Sequence, residues 1–299
     1  MAFTQVPAIE RWPARFTSSR TLAVPTQNGE PAFSVKLPTD RPHPDFEQPE
    51  KTQLREEAED AIRTAALIRR VDAALGQDAG LRIVAEAITV LVPGTEYGFV
   101  VRDLRPLQDG NFYLPALSIP WVGRQIAALF GEPFDAFWGR HYAEAIGRAK
   151  ARVLARYGLQ YDTPNPQNVM VQLDRTLRPT GRIVLRDLGD VNSLMGELAE
   201  GSNPWGAPIA APLKPETPNS FWAFDAADGL SIEAKVLEDW YARHDRAYLA
   251  TLASFFELPT SAMAPVGDDR FGGLRACLAA EGAPARLASV FDRRLRAQA

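Results

Sequence analysis

The sequence predicts an α+β fold, with a small antiparallel-sheet lobe and one long helix followed by a larger, mainly helical lobe. Three observations carry this reading. Residues 32–37 (AFSVKL) alternate as a half-buried strand does. Apolar positions recur at helical spacing across 54–75. Beyond Pro106 the chain turns to long helical segments interrupted by a single hairpin pattern. The boundary falls at 106/107, with 1–106 as the small lobe and 107–299 as the large one. A chain of 299 residues, 46% hydrophobic and 23% charged, buries a core of that size as one large domain or two lobes.

Each element has its local reason. The first fifty residues are rich in Pro and β-formers, and the strand at 32–37 stops at Pro38. In 54–75, Leu54, Ala58, Ala61, Ile62, Ala65, Leu67, Ile68, Val71 and Leu75 line one face, with Glu and Arg between them. Residues 81–92 suit either a helix or a strand, whereas 97–101 are short, aromatic and β-branched, so a pair of strands is expected there. Residues 121–130 and 133–157 read as helices, the second closing on Lys150, Arg152 and Arg156 before Gly158. Strands at 169–173 and 182–186, joined by a turn holding Asp174, Pro179 and Gly181, form the hairpin. A proline-rich loop spans 196–220, and helices follow at 232–256, 272–280 and 284–297.

Composition and motifs exclude several classes. Net charge is −4 with no block of like charge, which argues against a nucleic-acid partner. The lone Cys277 cannot form an internal disulfide, and no Cys/His spacing suits structural zinc, so a reducing, cytoplasmic setting is expected. The opening MAFTQVPAIERWPARF is too charged for a secretory leader, and no apolar run approaches the roughly 20 residues of a membrane span. Phosphate loops, dinucleotide fingerprints, nucleophile elbows and zincin helices are all missing from the sequence. His43, His141 and His244 read as structural, and Trp121, Trp138, Trp205, Trp222 and Trp240 as core.

The informative segment is 157–190. Asn168 enters the first hairpin strand and Asp187 leaves the second, so the hairpin brings an amide oxygen and a carboxylate to one end. Such a pair suits Mg²⁺, which takes one or two protein oxygens and completes its octahedron with water and phosphate. Protein kinases pair a catalytic-loop Asn with the Asp of Asp-Phe-Gly, and Asp187-Leu188-Gly189 has that form. The plainer alternative makes Asn168 and Asp187 turn residues. Lys36, on a strand of the small lobe, is placed as a phosphate-reaching lysine or as an ordinary strand lysine. Ser18-Ser19-Arg20-Thr21 and Thr52-Gln53-Leu54-Arg55 supply hydroxyls and arginines for a polyphosphate cradle, the second at the start of the long helix, where free N–H groups favour an anion.

In order, SSRT, VKLP, TQLR, LARYGLQYDTPNPQN and IVLRDLGD resemble the signature of the NRPS-independent siderophore synthetases, the aerobactin-type, IucA/IucC-like family, over residues 14–190. The resemblance implies a palm with a kinase-like nucleotide site between the two lobes. It implies an ATP- and Mg²⁺-dependent ligase, which activates a carboxylate as an acyl-adenylate and passes it to an amine, hydroxylamine or alcohol in siderophore-like biosynthesis. Ser18 and Arg20 would then hold the triphosphate, Lys36 and Arg55 would neutralise its charge, and Thr52 would stand where the family has serine. Asn168 and Asp187 would hold ATP and its metal, with Asn165 at the catalytic position. The family's histidine there is Asn165, and its preceding glutamate is Thr163, beside Asp162. The region that relatives carry ahead of Ser-x-Arg-Thr is expected to be missing, so a homodimer or a partner protein would supply that substrate wall. Two alternatives stand beside the ligase: a kinase-like phosphoryl or adenylyl transferase, and a non-catalytic nucleotide-binding relative or partner subunit.

Overall fold

The computed structural model describes residues 14–16, 21–25, 31–37, 55–91, 93–95, 98–161, 165–187, 191–193, 221, 224, 232–267 and 272–279. The proline-rich segment 196–220 and the expected helix 284–297 lie outside them. The fold is α+β and divides into two compact units, one drawn from Met1–Ile62 and Glu86–Asp109, the other from Arg63–Ala85 and Gly110–Ala299. No helix among the described residues is long and apolar enough to cross a membrane.

In chain order, β1 (Arg15–Phe16), β2 (Thr21–Pro25) and β3 (Pro31–Lys36) form an antiparallel meander. Helix α1 (Arg55–Leu75) follows, burying Ala61, Ala65, Leu67, Ile68 and Val71 while Arg63, Arg69 and Arg70 stay exposed. It ends at Gly76, whose φ of 71° costs a glycine little. Residues 81–92, left open between helix and strand, are two strands, β4 (Leu81–Val84) and β5 (Glu86–Leu91), which part at Ala85 and join different sheets.

With β6 (Gly98–Asp103), the first unit's sheet runs β1-β2-β3-β6-β5, antiparallel throughout. Strand β6 alternates, so Gly98, Val100 and Arg102 all face inward. A side chain at Gly98 would place Cβ 2.5 Å from the Val90 carbonyl oxygen. Arg102 can be buried because its Nη2 donates to Glu86 Oε1 at 2.5 Å, beside the bulge that offsets Glu86 from Ile88.

The second unit holds more sheet than the hairpin legible in the sequence. Strand β7 (Phe112–Pro115) precedes α2 (Ile119–Leu129), α3 (Phe134–Trp138) and α4 (Glu144–Tyr157). Next come β8 (Leu159–Tyr161), β9 (Val169–Leu173), β10 (Pro179–Arg186) and β11 (Val191–Ser193), and later α5 (Ala234–Phe256) and α6 (Gly272–Ala279). Strands run β4-β10-β9-β7, with β10 parallel to β4 and antiparallel to β9, and β9 antiparallel to β7. Residues 133–157, expected as one helix, widen to a π turn over Gly139–Ala143 between α3 and α4.

Behind this sheet, α4 packs against α5 so closely that a Cβ at Gly147 would lie 2.3 Å from the His244 carbonyl oxygen. Phe137, Trp138, Tyr142, Ile146, Phe221, Phe224 and Trp240 fill the core. Its two indoles are satisfied: Trp138 Nε1 donates to the Gly123 carbonyl and Trp240 Nε1 to that of Asp135, both at 3.0 Å. Trp121, expected in the core, is 48% exposed on α2, because Gly123, Ile126 and Ala127 take that helix's inner face. Trp205 and Trp222 lie outside the described residues.

Candidate functional site

The site's geometry begins at the end of α4. Gly158 takes a left-handed φ of 64°, its N–H donates to the Leu154 carbonyl, and the chain turns directly into β8. Strand β8 pairs antiparallel with β11, Tyr161 opposite Val191, while β9 pairs with β10, Val169 opposite Leu185. Asn168 stands just before β9 and Asp187 just after β10, so the register sets them at the same end of the hairpin.

Three side chains tie this end together. Tyr161, buried at 2% exposure, donates from its hydroxyl toward two successive carbonyls, Arg186 at 3.0 Å and Asp187 at 3.1 Å. Asp187 itself is left-handed, with φ 61°, a conformation that Asp tolerates better than most residues. Arg186 Nη2 donates to the Gln167 carbonyl at 2.8 Å, joining the end of β10 to the turn Pro166–Asn168. Asn165 caps that turn: its Oδ1 accepts the Gln167 N–H at 3.1 Å and its carbonyl accepts the Asn168 N–H at 2.7 Å. A ligand contact from Asn165 would therefore come from its Nδ2.

An amide oxygen and a carboxylate are hard donors, which fits Mg²⁺ and does not suit a thiophilic metal. No group of three or more His, Cys, Asp or Glu that could hold a metal occurs among the described residues. The remaining positions around a cation here would thus fall to water and phosphate oxygens, as Mg²⁺ prefers.

The other expected residues lie in the first unit. Lys36 ends β3, opposite Thr21 on one side and Val100 on the other, and Arg55 opens α1. Ser18, Arg20 and Thr52 lie outside the described residues. Sequence reasoning passed over Tyr161, Gln167 and Arg186. Tyr161 is marked only by its place just ahead of the DTPNPQN run, and Arg186 by its adjacency to Asp187.

Comparison with solved structures gives remote likenesses. ATP-bound aerobactin synthetase IucA from a hypervirulent pathotype of Klebsiella pneumoniae is 17% identical, over 78% of this chain and 48% of that one, with a TM-score of 0.49. Petrobactin biosynthesis protein AsbB from Bacillus anthracis is 10% identical, over 92% and 44%, at 0.46. The ROP18 kinase domain is 12% identical, over 95% and 81%, at 0.37. The chain spans about half the length of the two synthetases it matches. No family model and no curated protein sequence matches the chain.

Proposed function

We propose that this chain is the nucleotide-binding part of an ATP- and Mg²⁺-dependent ligase. It would activate a carboxylate as an acyl-adenylate and transfer the acyl group to an amine, hydroxylamine or alcohol in siderophore-like metabolite biosynthesis. The observation that carries the reading is the open end of the β9–β10 hairpin, where Asn168 and Asp187 emerge together from a turn already tied in place. The ordered succession from Ser18 to Asp187 supports it.

In this reading Asp187 and Asn168 would hold the cation, which would supply charge neutralisation at the phosphates; Lys36 and Arg55 would offset more of that charge, and Ser18, Arg20 and Thr52 would complete the cradle. The carboxylate oxygen of the substrate attacks the α-phosphorus and pyrophosphate leaves. The acceptor's nitrogen or oxygen then attacks the acyl carbon, losing its proton, and AMP leaves. Fixed cations lower the first barrier because negative charge grows on the phosphate oxygens in the transition state, and holding both reactants in one site supplies much of the rest.

A second reading has its own observation: Asn165, where the family carries histidine, is engaged in capping its turn. This favours a relative that binds nucleotide without catalysis. Calorimetric titration with ATP and Mg²⁺ tests both. Magnesium-dependent binding lost in Asp187→Ala, and kept in Asp174→Ala at the far end of the same hairpin, supports the site, whereas equal behaviour of the two overturns it. Pyrophosphate release with candidate carboxylates and amines then distinguishes the ligase from the binding relative. Asn165→His should raise turnover where the missing imidazole is limiting.

A further inference from the structure

We infer that Tyr161 and Arg186 are positioning residues that preset the cation-holding corner before any ligand arrives. The inference rests on the reading of Asn168 and Asp187 given above and assigns two residues that this reading does not use.

Asp187 leaves β10 in a left-handed conformation, which a lone non-glycine residue adopts at a cost. The Tyr161 hydroxyl lies within hydrogen-bond distance of the carbonyls on both sides of that turn, those of Arg186 and Asp187. An extended exit would point these two successive carbonyls to opposite sides, so the hydroxyl favours the observed geometry over an extended one. Tyr161 is itself fixed, buried at 2% exposure and held in β8 by its pairing with Val191. Arg186 does the same for the other donor. Its guanidinium holds the Gln167 carbonyl, one residue before Asn168, while the Asn168 N–H is held by Asn165. Both cation donors are thereby referred to one frame, the ends of β8 and β10, by side chains bonded to the backbone beside them. Partners of this kind orient ligands and tune metal affinity, while contributing little to nucleotide contacts that need no metal.

The test compares wild type, Tyr161→Phe and Arg186→Met by calorimetric titration of ATP over a range of Mg²⁺ concentrations and in EDTA, with thermal melting of each protein without ligand. The expected result is a rise of about tenfold in the Mg²⁺ concentration for half-maximal nucleotide binding in each variant, with EDTA-measured affinity within about twofold of wild type. The double variant should exceed neither single one by the full product, because the two residues hold one corner. An unchanged Mg²⁺ requirement with a lowered melting temperature makes Tyr161 merely structural and overturns the inference, as does an equal loss with and without Mg²⁺. Arg186→Met, which removes a largely exposed hydrogen bond, keeps the test decisive should Tyr161→Phe fold poorly. Wild type that shows no Mg²⁺-dependent binding overturns the site reading instead, a result separate from either of these.

Discussion

The two larger sheets solve the same problem in different ways. In the five-stranded sheet, the edge strand β5 leaves Ile88 and Val90 exposed, and the inward row of β6 includes a charge, Arg102, answered by buried Glu86. In the four-stranded sheet, Val169, Val171, Leu173, Ile183 and Leu185 join the core that helices α4 and α5 stand behind, and Val184 is buried as well. The first sheet is held by a ladder and an ion pair, the second by close packing. A preset corner needs a rigid base, and it is the second sheet that ends in Asn168 and Asp187. The first carries Lys36, itself half-buried, at the end of β3.

The sharpest way to break this contrast is to open a cavity in the second sheet. Ile183→Ala is expected to cost about 4 kcal/mol in chemical denaturation, since Ile183 is fully buried at the centre of three paired strands. A cost near that of a half-exposed position would show that this sheet is not the packed base described here. The matching test in the first sheet is Glu86→Ala, expected at about 3 kcal/mol because the Arg102 charge stays buried after its carboxylate is removed. Glu86→Gln, which keeps a hydrogen-bonding oxygen, should cost less than Glu86→Ala, and equal costs would assign the loss to packing instead of charge. Behind the second sheet, Gly147→Ala should lower stability by about 2 kcal/mol, because its Cβ would meet backbone on α5 that cannot move aside alone.

The smallest effect is a dependence on pH. Burial first, then Arg140 and Arg178, with a further push from Arg148 and partial opposition from Glu144, holds the His141 imidazole below its ordinary value of 6.5. The unfolded chain then binds this proton more readily than the folded one, so stability rises with pH up to the ordinary imidazole value and levels off above it. His141→Gln should flatten that part of the profile, and an unchanged slope would assign it to other groups.

What was legible in the sequence was local. The repeat of apolar residues along α1, the Gly158 stop after α4 and the β9–β10 hairpin all depend on neighbours in the chain, and each stands where spacing places it. Strand β7 escaped because FYLP is four residues long, ends on proline and shows no buried alternation. The parting of β4 from β5 escaped because a single residue, Ala85, separates strands of two sheets within one apolar run. For the site, Asn168 and Asp187 were readable as residue types flanking a hairpin. Tyr161 was not, because its role depends on a turn 26 residues away. Exposed Trp121 shows the reverse error, a large apolar residue assigned inward by type when the helix face decides.

The parallel pairing of β4 with β10 also bears on how the protein reaches its native state. Leu81 meets Ile183 across about a hundred residues of chain, whereas β9 and β10 are joined by a short turn that Asp174 stabilises through Thr176 and Arg178. The hairpin can close early from contacts within itself, but β4 can dock on it only after α2, α3 and α4 have been gathered between them. Closing a loop of that length before its contacts form makes such pairings slow. The docking of β4 should therefore be a late event in folding, leaving one edge of β10 open to competing strands until it is complete.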